Sequence, residues 1–225
     1  MNKIQIDLLT RTKRKTLHLE VGSDARLTVR VPLHCSDEIT QKFVDEHRDW
    51  IMRKQSYAKE HYKQVIPQKY LPGEKFLYLG KEYKLITLET TRGSLAFKGA
   101  NFIINAAEIK DAPELFYCWY KKEAQKIIYK RTKLFSSITG IKYQKVQITN
   151  AHHRWGSCNR RGNLNFTARL IKAPLEIIDC VVVHELVHME IRGHRNGFWE
   201  RVNTFIPDLE SRRAWLNENQ NLLAL

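Results

Sequence analysis

Apolar and polar residues alternate at period two through residues 4–31: Ile4, Ile6 and Leu8, then Leu17, Leu19 and Val21, then Leu27, Val29 and Val31. This alternation predicts three strands, each with one buried face. Gly22, Ser23 and Asp24 are turn residues, and Pro32 closes the third strand. The period then lengthens. Ser36 can cap a helix, Asp37 and Glu38 suit its positive end, and Ile39, Phe43, Val44, Trp50 and Ile51 recur on one helical face. A helix over residues 37–55 is predicted.

Pro67 and the pair Pro72 and Gly73 mark a connection. Strand patterning resumes at 76–79 and 83–88, and again at 95–98 and 102–105, with Gly80 and Gly99 in the intervening turns. Asp111 and Pro113 then open a long helix whose buried stripe is Leu115, Phe116, Trp119, Ile127, Ile128, Leu134 and Phe135, and Gly140 ends it. Val146 and Ile148 suggest another strand. Residues 154–170, with a turn at 159–162, read as a β-hairpin leading to a helix over 174–192. Asn196 is placed to cap a short helix bearing Phe198, Trp199 and Val202, a last helix begins at Pro207 and Asp208, and the tail 217–225 is expected to be loosely held. The whole is of α+β class: an antiparallel, β-rich part over 1–108, then a helical part with a β-hairpin over 109–225.

The helix over 174–192 is apolar around much of its circumference, yet it carries His184-Glu185-Leu186-Val187-His188. Residues four apart share a helix face, so His184 and His188 can offer two imidazoles to one metal. Glu185 lies one step round and can take a proton from a water at that metal. Two histidines and a glutamate on a buried helix need something to satisfy them, and a divalent cation does so. On a continuous helix His194 would lie about 600° further round, roughly 240° off the shared face. Gly193 removes that conflict, because glycine adopts the left-handed conformation cheaply and lets the chain fold back. Three protein ligands with an open fourth position suit a catalytic zinc. A purely structural zinc would take Cys158 as fourth ligand. Glu190 and Glu200 compete with His194 as the third, and Asp179 is placed either to orient a ligand or to cap a neighbouring element.

Composition adds charge to this picture. The 225 residues carry a formal net charge of +14, with pI near 9.7, which favours polyanionic partners such as DNA or nucleotides over basic ones. Lys121, Lys122, Lys126, Lys130, Arg131 and Lys133 concentrate that charge on the long helix. No apolar run approaches a membrane span. Cys35, Cys118, Cys158 and Cys180 form no C-x-x-C pair, and the first residues lack the apolar stretch of an export signal, so reduced thiols and a cytoplasmic location are expected.

Several stretches resemble the YgjP-like zinc metallopeptidase family, itself similar to SprT-like proteases. They are Arg154-Trp155-Gly156-Ser157-Cys158; Leu170-Ile171 with Ala173-Pro174; Val181-Val182-Val183-His184-Glu185-Leu186 with His188; and His194 with Phe198-Trp199. Arg14-Lys15-Thr16-Leu17, Trp50-Ile51 and Tyr78-Leu79-Gly80 extend the likeness over most of the chain. The resemblance implies a zincin-like fold, Zn2+ held by His184, His188 and His194, a catalytic Glu185 and a protein or peptide substrate. Arg195 departs from the pattern, where a small hydroxyl residue is expected, and makes the mouth of the site more basic. The metzincin pattern also sets its third histidine six residues after the second, but it requires glycine where this chain has Ile191.

Peptide hydrolysis would use Glu185 as general base, with Arg154, His153 and Trp155 as candidate substrate contacts and the first two of these placed to steady the oxyanion. The free edge of the hairpin would receive an extended peptide by strand addition. Two other classes compete. One is a metal-dependent nucleoside triphosphate pyrophosphohydrolase, weakened by the lack of a glycine-rich phosphate cradle. The other is a DNA-associated binding protein with a structural zinc.

Overall fold

The computed structural model describes residues 4–22, 24–61, 68–89, 95–151 and 154–224. The chain divides into two compact units, residues 1–66 with 217–222 and residues 67–216 with 223–225. No described helix is long and apolar enough to cross a membrane.

In the first unit, strands β1 (Leu8–Thr12), β2 (His18–Val21) and β3 (Leu27–Pro32) form a sheet in the order β1-β3-β2. Period-two burial is strict in β3: Leu27, Val29 and Val31 are fully buried and pack with Val44 and Ile51. Helix α1 (Asp37–Glu46) starts where Ser36 Oγ accepts the Ile39 N–H at 3.3 Å. The stretch expected as one helix is two, because His47 interrupts it. Its backbone leaves the helical region and its Nδ1 bonds the Phe43 carbonyl at 2.8 Å. Helix α2 (Arg48–His61) follows.

In the second unit, β4 (Lys75–Tyr78), β5 (Lys81–Leu88), β6 (Leu95–Lys98) and β7 (Asn101–Asn105) pair in the order β4-β5-β7-β6. A short 3-10 helix (Ala106–Asp111) leads into α3 (Ala112–Thr139), which ends at Gly140 in the left-handed conformation, φ 74°. One face of α3 is buried at Phe116, Tyr120, Ala124, Ile128, Thr132 and Phe135, and Phe116 stacks on Phe76 of β4 with centroids 4.1 Å apart. Strands β8 (Lys145–Thr149), β9 (Gly156–Cys158) and β10 (Asn163–Thr167) form the third sheet in the order β8-β10-β9. The expected hairpin is the antiparallel pair β9 and β10, with β9 on the edge.

The α+β class holds, but the sheets are mixed instead of antiparallel. β1 runs parallel to β3, β5 to β7 and β8 to β10. Periodicity reports which face of a strand is buried and is blind to its direction. The end of the chain is also better anchored than expected, since Leu223 is fully buried and Lys172 Nζ donates to the Ala224 carbonyl.

Candidate metal centre

The helix that carries the histidines is α4 (Leu175–Val187). Its start is fixed from two sides. At the tip between β4 and β5, Leu79 N–H donates to the Ile171 carbonyl at 3.0 Å and Gly80 N–H to that of Lys172 at 2.9 Å. Pro174 then accepts the N–H groups of Ile177 and Ile178 at 3.0 and 3.1 Å. Ile177, Ile178, Val181, Val182, Val183, Leu186 and Val187 are buried, so the helix is held all round by apolar packing. Asp179, 7% exposed, forms a bidentate pair with Arg131 of α3 at 2.6 and 2.6 Å. Asp179 thus takes neither of the roles expected of it: it ties α4 to α3 through an ion pair instead of capping a helix or orienting a ligand.

Helix α4 stops five residues short of the expected end at 192. His188 is its C-cap, and the chain turns tightly, with Met189 N–H on the Leu186 carbonyl at 2.8 Å and Ile191 N–H on that of Val187 at 2.9 Å. The reversal thus begins at His188 and is completed at Gly193, whose φ is 82°. Helix α5 (Asn196–Phe205) then runs back beside the site. Its Phe198 stacks on His188 with centroids 4.4 Å apart and meets His184 edge-on at 4.9 Å. Trp199 stacks on His194 at 5.4 Å, and its Nε1–H donates to the His194 carbonyl at 3.0 Å. Arg213, from α6 (Leu209–Asn219), lies over the Trp199 ring at 4.0 Å.

The three imidazoles converge. Nε2 of His194 is 3.1 Å from Nε2 of His188 and 3.1 Å from Nε2 of His184. Ligands of a tetrahedral zinc at about 2.0–2.1 Å stand roughly 3.3 Å apart, so the spacing fits one small cation. Nδ1–H of His188 donates to the Ile191 carbonyl at 3.2 Å, which leaves Nε2 as the lone-pair donor. Protonation does not relieve the crowding at His184: burial first, then His188, His194 and Arg213, push its pKa down to about 3. Burial also lowers His188. Burial thus disfavours the charged form of His184 and His188, and three convergent imidazole nitrogens are a donor set that fits a divalent metal.

Glu185 is 5% exposed. Burial lifts its pKa to about 7, against the opposing pull of Arg154. Among the described residues His184, His188 and His194 form the metal-capable group, and no cysteine or carboxylate joins them. Cys158 instead sets its Sγ 3.2 Å from Met189 Sδ and within 3.6 Å of Arg192 Nη1. Glu190 pairs with Arg201 at 2.9 Å, and Glu200 is exposed on α5. Arg154 is exposed, while Trp155 is half-buried under the Arg169 guanidinium at 3.8 Å. His153 lies outside the described residues. The sequence reading did not identify Arg131 as the partner of Asp179. A signal was available, since the basic run on α3 includes one cation beside the buried stripe of Ile128, Thr132 and Phe135.

The buried helix with its convergent imidazoles defines a candidate metal centre. The family model described as YgjP-like, metallopeptidase domain matches residues 15–219, and the chain belongs to that family. Membership in a metallopeptidase family implies a metal cofactor and a protein or peptide substrate. Neither curated proteins nor solved structures give a match.

Proposed function

We propose that this chain is a zinc-dependent peptidase in which His184, His188 and His194 hold the metal and Glu185 is the general base. The observation that carries this reading is the meeting of three imidazole Nε2 atoms at the end of a helix on which a buried glutamate directly follows the first of the histidines. Zinc held there supplies a Lewis acid that polarises the scissile carbonyl and makes water a better nucleophile near neutral pH. Glu185, lifted to about 7, takes the proton of the attacking water and passes it to the leaving amine. Strand β9 pairs only with β10 among the described strands, so its outer edge can receive an extended peptide by strand addition. Arg154, whose charge acts on Glu185, is the residue we assign to steadying the developing oxyanion.

The basic surface supports a finer reading, that the peptidase acts near nucleic acid. Lys122, Lys126, Lys130 and Lys133 are exposed along α3 at helical spacing, while Arg131 is turned to Asp179. Such a stripe suits a polyphosphate backbone.

A Glu185→Gln variant tests the assignment. It should retain zinc and fold, and trap substrates that the wild type cleaves. Unfolded proteins, DNA-bound proteins and nucleoside triphosphates should be offered separately. Loss of triphosphate cleavage alone would move the chemistry to phosphorus. Wild-type proteolysis by the glutamine variant would remove Glu185 from its role.

A further inference from the structure

We propose that Gly156 is a positioning residue for Glu185. Its missing side chain lets the β9 backbone close against the carboxylate and hold it at the metal centre. This rests on Glu185 being the base.

A Cβ built on Gly156 would lie 2.6 Å from Glu185 Cγ, 2.7 Å from Oε1 and 2.8 Å from Cδ. Favourable carbon contacts begin near about 3.5 Å, so any other residue must displace the glutamate or the strand. The backbone imposes no such demand by itself. Gly156 is absent from the residues with positive φ, so its conformation is open to L-residues and only the close approach requires glycine.

The strand cannot easily retreat. Gly156 sits opposite the fully buried Phe166, Thr167 N–H holds the Trp155 carbonyl at 3.0 Å, and Trp155 is covered by Arg169. Two residues on, Cys158 faces the same way and meets Met189. The inward positions of β9 therefore lie against Glu185 in the last turn of α4 and Met189 in the turn that follows it. Glu185 cannot easily move either, because it is buried and its α4 neighbours are packed. No described residue hydrogen-bonds or ion-pairs with its carboxylate. The charge of Arg154 acts on it, and steric enclosure, with Gly156 as one wall, limits where it can point.

A stability and activity cycle tests this with Gly156→Ala, Glu185→Ala and the double variant. Glu185→Ala removes the three atoms nearest to the new methyl. Gly156→Ala should therefore lower the melting temperature clearly in the wild-type background and little in the Glu185→Ala background. Zinc content, read by metal analysis, should stay at wild-type level in Gly156→Ala. Its kcat should fall on the order of 100-fold with KM little changed, as for a misplaced reacting group. If Gly156→Ala fails to fold and the double variant folds, the contact is supported. An equal melting loss in both backgrounds, or failure of both to fold, overturns the inference, as does wild-type kcat in zinc-loaded Gly156→Ala. The stability arm does not use turnover, so it judges the contact even if peptide hydrolysis proves not to be the reaction.

Discussion

Of the three histidines proposed to hold the metal, His194 lies farthest from α4 in the chain, and it is exposed, so its placement depends on what stacks against it. Trp199 does this with its ring and with one hydrogen bond to the His194 carbonyl. Trp199→Phe keeps an aromatic face and deletes the donor. A single intramolecular hydrogen bond contributes about 0.5–1.5 kcal/mol, so zinc affinity should fall roughly 2- to 13-fold. Trp199→Leu also deletes the stack, at about 0.5–1.5 kcal/mol, and the Arg213 contact at about 0.5–1 kcal/mol for an exposed cation over a ring. The combined loss then reaches roughly 1.5–4 kcal/mol, or about 10- to 1,000-fold in Kd. Competition against a chelator of known affinity reads this directly, and the leucine variant should also lose zinc faster on dilution. His194→Ala sets the limit, since it removes the ligand itself. Unchanged affinity in Trp199→Leu would mean that the turn holds His194 unaided, and the proposed role of the ring would be refuted.

Glu185 must be ionised to accept a proton, and a cation held by the histidines draws its pKa below the value of about 7 that burial gives the metal-free site, so kcat/KM should fall about tenfold per pH unit on the acid side of that lowered value. The glutamine variant should lie at least about 100-fold lower. In metal-free protein the same shift acts on stability. Its folded pKa is raised from 4.5 to about 7, so the relative stabilisation is complete below 4.5 and lost as pH rises through 7. Glu185→Gln should therefore gain on the wild type in melting temperature between those values and keep a constant lead above them. Asp179→Asn strands Arg131 in a mostly buried pair with side chains 10% and 21% exposed. A cost of about 3–5 kcal/mol corresponds to roughly 6–20 °C in melting temperature. Zinc affinity at temperatures where the variant is folded should be unchanged, and a large affinity loss would return Asp179 to a ligand-orienting role. Binding to DNA, measured at rising salt, should weaken steeply. Replacing Lys122, Lys126 and Lys130 by glutamine should flatten the slope of log K against log salt by about 3, and no change would place any DNA contact elsewhere.

Much of this was legible in the sequence because it depends on short spacings. The four-residue offset of His184 and His188 fixes a shared helix face wherever the helix sits. Ser36 as a cap and Gly140 as a stop needed only local backbone chemistry. What was hidden depends on partners distant in the chain. Strand direction follows from crossovers, so the three parallel pairings left no mark in the alternation. The break at His47 hangs on a ring bonding a carbonyl four residues back, inside an otherwise continuous apolar pattern. Gly193 signalled the turn, but the turn starts earlier, where the carbonyls of Leu186 and Val187 take close partners. The nearness of Gly156 to Glu185 joins residues 29 apart in sequence, and no spacing rule reaches that far.

The docking of Leu79 and Gly80 on Ile171 and Lys172 has a consequence for the order of events during synthesis. The tip between β4 and β5 leaves the ribosome more than ninety residues before the segment it will hold. At about 5–20 residues per second that is a lead of several seconds, long beside the microseconds to milliseconds in which hairpins and helices form. The sheet and α3 can thus be standing when His184 and His188 appear. Helix α4 would then be seated on a finished template, and only the turn to His194 and the helix that carries Phe198 would remain to be added to complete the set.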